Sequence, residues 1–271
     1  MLAGARILWQ VLVYRLQRLE MANLFAAASL VVALRLPLGE AALRVLFAFL
    51  LNVLAYTTND YYDAERDLSE GRAPEKTRYL IEHRREAIGA QWFLVLCLVG
   101  LALAVDKAML LSAVLGAGTC WAYSASFKGR PLLDVLSMTI WGAAMPLAAV
   151  PLSSHAGLVL LGQLALFSTC FELLQVLRDH DTDAAAGTRT TAVLLGADGT
   201  ERMFRGAAVL AAIYGMLFVH STFAFLLLLG ATIPVRKDPE KGWNWVRLVF
   251  GLAWLAFTFT LWLTGRTAGL V

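Results

Sequence analysis

Two acidic stretches hold the residue types best suited to chemistry, Asn59-Asp60-Tyr61-Tyr62-Asp63-Ala64-Glu65-Arg66-Asp67 and Asp179-His180-Asp181-Thr182-Asp183. On a helix, Asp60, Asp63 and Asp67 fall at i, i+3 and i+7, and Asn59 and Asp63 at i and i+4, so their oxygens converge on one face. Asp179 and Asp183 repeat the four-residue spacing. Carboxylates brought this close repel one another and take up protons unless a positive charge sits among them. Hard oxygen ligands without a Cys/His cluster favour Mg²⁺ or Mn²⁺ over zinc. Magnesium is commonly shared between a few carboxylates and substrate phosphates, which points to a phosphate ester or diphosphate as the ligand. Arg72, Lys76, Lys128 and Arg130 could neutralise the phosphate oxygens that the metal leaves uncovered. Glu65, Glu70, Glu75, Glu82 and Glu86 read as solvated loop residues, and Asp181 points to another side of its helix than Asp179 and Asp183.

The elements that must position these groups are membrane helices. Of the 271 residues 59% are hydrophobic and only 16% charged, and the mean hydropathy is +0.66, above what a soluble domain of this length shows. Stretches suited to crossing ~30 Å of hydrocarbon lie at about 21–34, 40–58, 87–105, 108–125, 131–152, 156–177, 204–219, 221–235 and 244–264. The expected fold is all-α, nine transmembrane helices and no sheet. This count leaves Arg35, Arg44, Lys107 and Arg266 on one side and the other 19 of the 23 Lys and Arg on the opposite side. Short cytoplasmic loops carry the basic excess, so the N-terminus and both acidic stretches are expected at the cytoplasmic face of a cell inner membrane. Residues 1–20 alternate apolar residues with Arg6, Arg15 and Arg18, as an interfacial helix does, leaving 21–271 as the membrane domain. Cys97, Cys120 and Cys170 are isolated in apolar segments and read as small buried residues, not as disulfides or zinc ligands. The net charge of +3 is explained by topology, with no nucleic-acid signature and no protein partner evident.

Three blocks carry a resemblance. The pattern N-D-x-x-D-x-x-x-D at Asn59–Asp67, the pattern D-x-x-x-D at Asp179–Asp183 with the trailing Gly187–Gly196, and Tyr123-Ser124 followed by Lys128-Gly129-Arg130-Pro131-Leu132-Leu133-Asp134 resemble the UbiA superfamily of intramembrane prenyltransferases. The resemblance runs from about Arg15 through the last helix. It implies a helical bundle around a central cavity open to the bilayer and capped on the cytoplasmic side. It further implies two Mg²⁺ ions held by Asn59, Asp63, Asp67, Asp179 and Asp183 with Asp60 nearby, gripping the diphosphate of an isoprenoid donor. Arg72 and Lys76 match family positions that contact diphosphate, and Lys128 matches the family's Tyr/Lys loop.

Metal and cations would stabilise the leaving diphosphate as the allylic C–O bond ionises. An apolar tunnel and aromatic faces would shelter the carbocation. Candidate faces are Tyr56, Tyr61, Tyr62, Trp121, Trp141, Phe167, Phe171 and above all Tyr123, which has its motif position. Glu172 and Gln175, two turns and one turn before Asp179, could orient or deprotonate an acceptor, or pair structurally. The chain departs from the family pattern after Asp67, where Ser69 to Arg78 replaces the usual Asn and Arg-Pro elements, and in the Tyr123-to-Lys128 spacing. Two activities share the metal residues: prenyl transfer to a lipophilic or aromatic acceptor, and a terpene synthase in which the cation is attacked by the donor's own double bonds.

Overall fold

The computed structural model describes residues 2–18, 20–69, 71 and 73–270. Twelve α-helices build it: α1 (Leu2–Gln17), α2 (Ala22–Ala33), α3 (Leu38–Ser69), α4 (Pro74–Glu82), α5 (Arg84–Val105), α6 (Met109–Ala122), α7 (Leu133–Ala144), α8 (His155–Arg178), α9 (His180–Ala185), α10 (Thr191–Tyr214), α11 (Phe225–Thr232) and α12 (Pro239–Thr264). No strand forms among the described residues. Wide-turn segments extend α6 over Tyr123–Phe127 and α10 over Gly215–Val219, and a 3₁₀ turn at Pro146–Ala149 follows α7.

Among the described residues, six helical spans are long and apolar enough to cross a membrane: Leu38–Ser69, Arg84–Val105, Met109–Phe127, His155–Arg178, Thr191–Val219 and Pro239–Thr264. The remaining expected crossings coincide with shorter apolar pieces, Ala22–Ala33, Leu133–Ala149 and α11. The expectation of nine spanning helices therefore meets six of full length. The lipid-facing character is plain on α5, where Trp92, Phe93, Leu96 and Leu103 are exposed. A soluble surface does not carry so large a contiguous apolar patch.

The interior is packed by residues from most of the long helices, among them Leu30, Phe47, Leu51, Leu160, Leu173, Phe204 and Phe250. Small residues let helices approach. A Cβ added at Gly142 on α7 would stand 2.2 Å from the Ser168 Cβ and 3.0 Å from the Leu164 carbonyl oxygen, both on α8. Gly142→Ala is therefore expected to force α7 off α8, at a cost of about 1–3 kcal/mol, read as a lower melting temperature in detergent. An unchanged melting temperature would contradict this packing.

Asp134, at the start of α7, is fully buried. It accepts from the Thr191 N–H at 2.7 Å, from the Thr191 hydroxyl, and from the Val135 N–H at 2.8 Å. The Thr191 hydroxyl oxygen in turn accepts from the Leu132 N–H at 2.7 Å. This network supports Leu132 at φ +68°, a conformation rare for a branched side chain. Asp134, the last residue of the sequence block that opens at Tyr123, thus joins α7 to α10. Asp134→Ala strands three donors, and about 2–4 kcal/mol of destabilisation is expected. Detergent unfolding checks this.

The N-terminal helix α1 buries Gly4, Ile7 and Val11. Ile7 and Val11 pack with Ala64 of α3, Leu80 of α4 and Ala87 of α5 in a small second core. Leu2, Trp9 and Leu16 of α1 are exposed.

Candidate active site

The last three turns of α3 carry Asn59, Asp60, Asp63 and Asp67, because α3 continues as one helix well past the apolar run that ends near Thr58. Asn59 donates from Nδ2 to Asp63 Oδ2 at 3.0 Å. Lys128 Nζ also donates to Asp63 Oδ2, at 2.5 Å, and Arg66 approaches Asp63 Oδ1 at 3.6 Å.

Lys128 is placed by the wide turn at Tyr123–Phe127, closed by the Lys128 N–H on the Tyr123 carbonyl at 2.9 Å. Such a turn re-aims side chains relative to a regular helix and often marks a functional site.

The second acidic stretch begins where α8 ends. Asp179 caps α8 and accepts from Arg178 Nε at 2.9 Å and Nη2 at 3.1 Å. Asp183 sits on the short α9, which ends with Gly187 at φ +70°, a conformation glycine adopts without strain. Burial and the neighbouring Asp179 push the Asp183 carboxyl above its ordinary range, against Arg66, a Thr190 hydrogen bond and Lys128.

These elements converge. A cleft with about 540 Å³ of empty space, open solvent included, is lined by Arg66, Tyr123, Lys128, Gln175, Val176, Asp179, Thr182, Asp183, Ala186, Thr188 and Thr190. Lys128 joins it to Asp63. The two acidic stretches, more than a hundred residues apart in sequence, therefore share one end of the bundle and one cleft. Tyr123 forms part of its wall and donates to Glu172 Oε1 at 3.2 Å, with Glu172 buried behind it.

Several expected site residues lie elsewhere. Asp60 is buried and faces away from the cleft, held by Arg15 of α1 and by Lys76 of α4 at 2.5 Å. Lys76 is thereby committed to Asp60 and stacks over the Tyr14 ring at 4.3 Å. Arg130 is exposed and lies over the Phe127 ring at 6.0 Å. Asp181 points into solvent beside His180. Asp67 is half-buried on the last turns of α3. Arg72 falls outside the described residues.

Of the aromatic candidates, only Tyr123 lines the cleft. Tyr56 packs edge-on to Trp141, Phe167 and Phe171 pack on Phe250, Tyr61 packs edge-on to Tyr62, and exposed Trp121 donates to the Tyr62 hydroxyl at 2.8 Å.

Arg66, Thr188 and Thr190 were not singled out by sequence. In the sequence Arg66 is one of the basic residues of the charge-rich side, and the Gly187–Gly196 block carries the family resemblance without a role for its threonines.

Among the described residues, no three Asp, Glu, His or Cys side chains come close enough to hold one ion. Instead, Lys128 and Arg178 occupy the Asp63 and Asp179 carboxylates. The donor set is nonetheless oxygen-only, with two carboxylates and threonine hydroxyls around one cleft, which is the chemistry Mg²⁺ takes. Lys128 and Arg178 thus already place positive charge beside two of the carboxylates.

The model of the UbiA prenyltransferase family matches residues 21–237. The chain belongs to that family. The solved structures most similar to it are under 25% identical and share its fold. One comes from a study of the biosynthesis of digeranylgeranylglyceryl phosphate synthase in membranes (TM-score 0.74, 14% identity, 95% of this chain and 98% of that one). Two are of a UbiA homologue from Archaeoglobus fulgidus. The form bound to GPP and Mg²⁺ has a TM-score of 0.67 at 17% identity, over 97% of this chain and 100% of the other. The form bound to DMAPP and Mg²⁺ also has a TM-score of 0.67, at 16% identity, over 90% and 97%. No curated protein gave a significant sequence match.

Proposed function

We propose that this family member is an intramembrane prenyltransferase that ionises an isoprenoid diphosphate and transfers the prenyl group to a lipophilic, aromatic acceptor. The observation that carries the reading is the meeting of the two acidic stretches at one cleft, with Lys128 reaching from its wall to Asp63. The A. fulgidus homologue, solved with prenyl diphosphates and Mg²⁺, supports the same ligand class. Asp63, Asp67, Asp179 and Asp183 would hold Mg²⁺, which supplies charge stabilisation to the departing diphosphate, and Asn59, whose carbonyl oxygen accepts from Arg15, would orient Asp63 through its NH₂ rather than bind the ion.

The chain's own residues do the rest. Lys128 and Arg66 offset diphosphate charge at the cleft, as preorganised cations in a partly dry site do at low reorganisation cost. Tyr123 forms part of the cleft wall and is held there by its hydroxyl, which donates to the buried Glu172. Gln175 offers a neutral polar contact one turn above Asp179. The apolar helices beneath exclude water from the reacting carbon.

In this reading all nine apolar segments lie in the bilayer, the three short ones reaching only part-way or tilting their ends to the interface. Segment 1–20 lies on the membrane surface as an interfacial unit, and the basic end of the bundle, with the cleft, faces the cytoplasm of an inner membrane.

The test is to incubate purified protein with radiolabelled prenyl diphosphates, with and without Mg²⁺ and phenolic acceptors. Mg²⁺-dependent diphosphate release with prenylated acceptor is expected. A cyclic hydrocarbon or alcohol formed without acceptor would instead establish a terpene synthase on the same metal residues. No release from any donor would overturn the assignment.

A further inference from the structure

The most heavily charged buried cluster outside the cleft lies where α1 meets the end of α3. Arg15 is 14% exposed, Lys76 12% and Asp60 4%. Arg15 donates to Glu20 at 2.6 Å, to Asp60, and to Asn59 Oδ1 at 3.3 Å, and its guanidinium lies 4.6 Å from the Tyr56 ring centre. Burial opposes its charge, but Asp60 and Glu20 outweigh that and hold the guanidinium above its ordinary value.

A guanidinium can only donate and an ionised carboxylate can only accept. Asn59 stands between Arg15 and Asp63, so its carbonyl oxygen must face Arg15 and its NH₂ must face Asp63, as observed. The amide orientation beside the cleft is thereby set from α1. Asp60 in turn needs its partners, since a buried carboxylate left with too little positive charge is costly. Through Asp60, Arg15 and Lys76 tie α1, α3 and α4 together at the end of α3 that presents Asp63.

We propose that Arg15 is a positioning residue: it docks the N-terminal helix on the first acidic stretch through Asp60 and, by holding the Asn59 amide, sets the affinity of the cleft for a divalent cation. Asp60 is then an anchor for α1 and not a cation ligand. The inference rests on the metal-dependent reading above. Groups one step behind metal ligands typically change affinity by about 10- to 100-fold.

The test uses the full chain in detergent. Mn²⁺ binding in the presence of inorganic diphosphate is titrated by electron paramagnetic resonance for wild type, Arg15→Gln, Arg15→Lys, Asp60→Asn and the Arg15→Gln/Asp60→Asn double variant. Arg15→Gln is expected to weaken Mn²⁺ binding about 10-fold, with Arg15→Lys between it and wild type. The double variant should bind no worse than the weaker single variant, because both lose the same contact. Hydrogen exchange across α1 should rise in Arg15→Gln.

Wild-type affinity in Arg15→Gln, or losses that multiply in the double variant, would overturn the proposal. If Arg15→Gln does not fold, Arg15→Lys and Asp60→Asn carry the same comparison. Mn²⁺ binding by wild type separates the two ideas: its absence removes the metal reading itself, whereas its presence with an indifferent Arg15 removes only this inference.

Discussion

Asp63→Ala and Asp179→Ala are each expected to slow Mg²⁺-dependent diphosphate release by at least about 10³-fold, the upper end of what one preorganised charge-stabilising group is worth. Each removes a carboxylate from a different acidic stretch, and a double variant no slower than the worse single variant would show that the two act as one unit. Folding should survive both changes. Asp63 is 13% exposed beside Lys128 at 23%, and Asp179 is 29% exposed beside Arg178 at 35%. The more exposed Asp179 pair contributes about 0–1 kcal/mol, and for the more buried Asp63 the Asp63→Asn variant keeps a polar partner for Lys128 should Asp63→Ala lower stability. A melting temperature close to wild type with lost turnover is therefore the expected pair of results. Near-normal turnover in either variant would remove that residue from the reaction.

Lys128→Gln carries the second large effect. Its ammonium stands 2.5 Å from Asp63 and lines the cleft with Asp179 and Asp183, so with Arg66 it is one of two described cations placed between the acidic stretches. Removing its charge should lower kcat/KM for the prenyl diphosphate by about 10²-fold. Lys128→Arg should retain part of the rate, since charge persists while the reach changes. Steady-state diphosphate release reads both. A Lys128→Gln enzyme with unaltered kcat/KM would mean that this ammonium does not meet the substrate.

Much of the cleft was legible in the chain because the signals were local. Apolar runs coincide with most of the helices, although α3 continues to Ser69 and α10 begins at Thr191, well outside the expected 40–58 and 204–219, and the four-residue spacings match the pairing of Asn59 with Asp63 and of Asp179 with Asp183. Spacing misjudged Asp60. Residues three apart on a 3.6-residue helix point about 60° apart, enough to turn Asp60 towards α1 while Asp63 faces Lys128. The same limit hid Arg15, whose role depends on a partner 45 positions away. An arginine inside an apolar stretch is the available signal, and in the sequence it is indistinguishable from an interfacial charge.

The start of α10 was missed for a different reason. Asp198, Thr200, Glu201 and Arg202 cut the apolar run at 192–197 off from the one that starts near Phe204, yet one helix carries both: the Thr190 hydroxyl caps it and Gly196 at φ +69° kinks it. The three short apolar segments show why a count of crossings from hydropathy runs ahead of helix length. Pro146 and the 3₁₀ turn after α7, and the turn before α11, shorten helices without interrupting the apolar character of the sequence.

The account turns on one polyphosphate being shared by both acidic stretches through divalent ions. The most direct measurement is anomalous diffraction at the manganese edge from crystals grown with Mn²⁺ and inorganic diphosphate. The account predicts manganese peaks in the cleft, bridged by the diphosphate and contacted by carboxylates of both the Asp63 and the Asp179 stretches. Manganese bound at only one stretch, or diphosphate bound away from both, would contradict it.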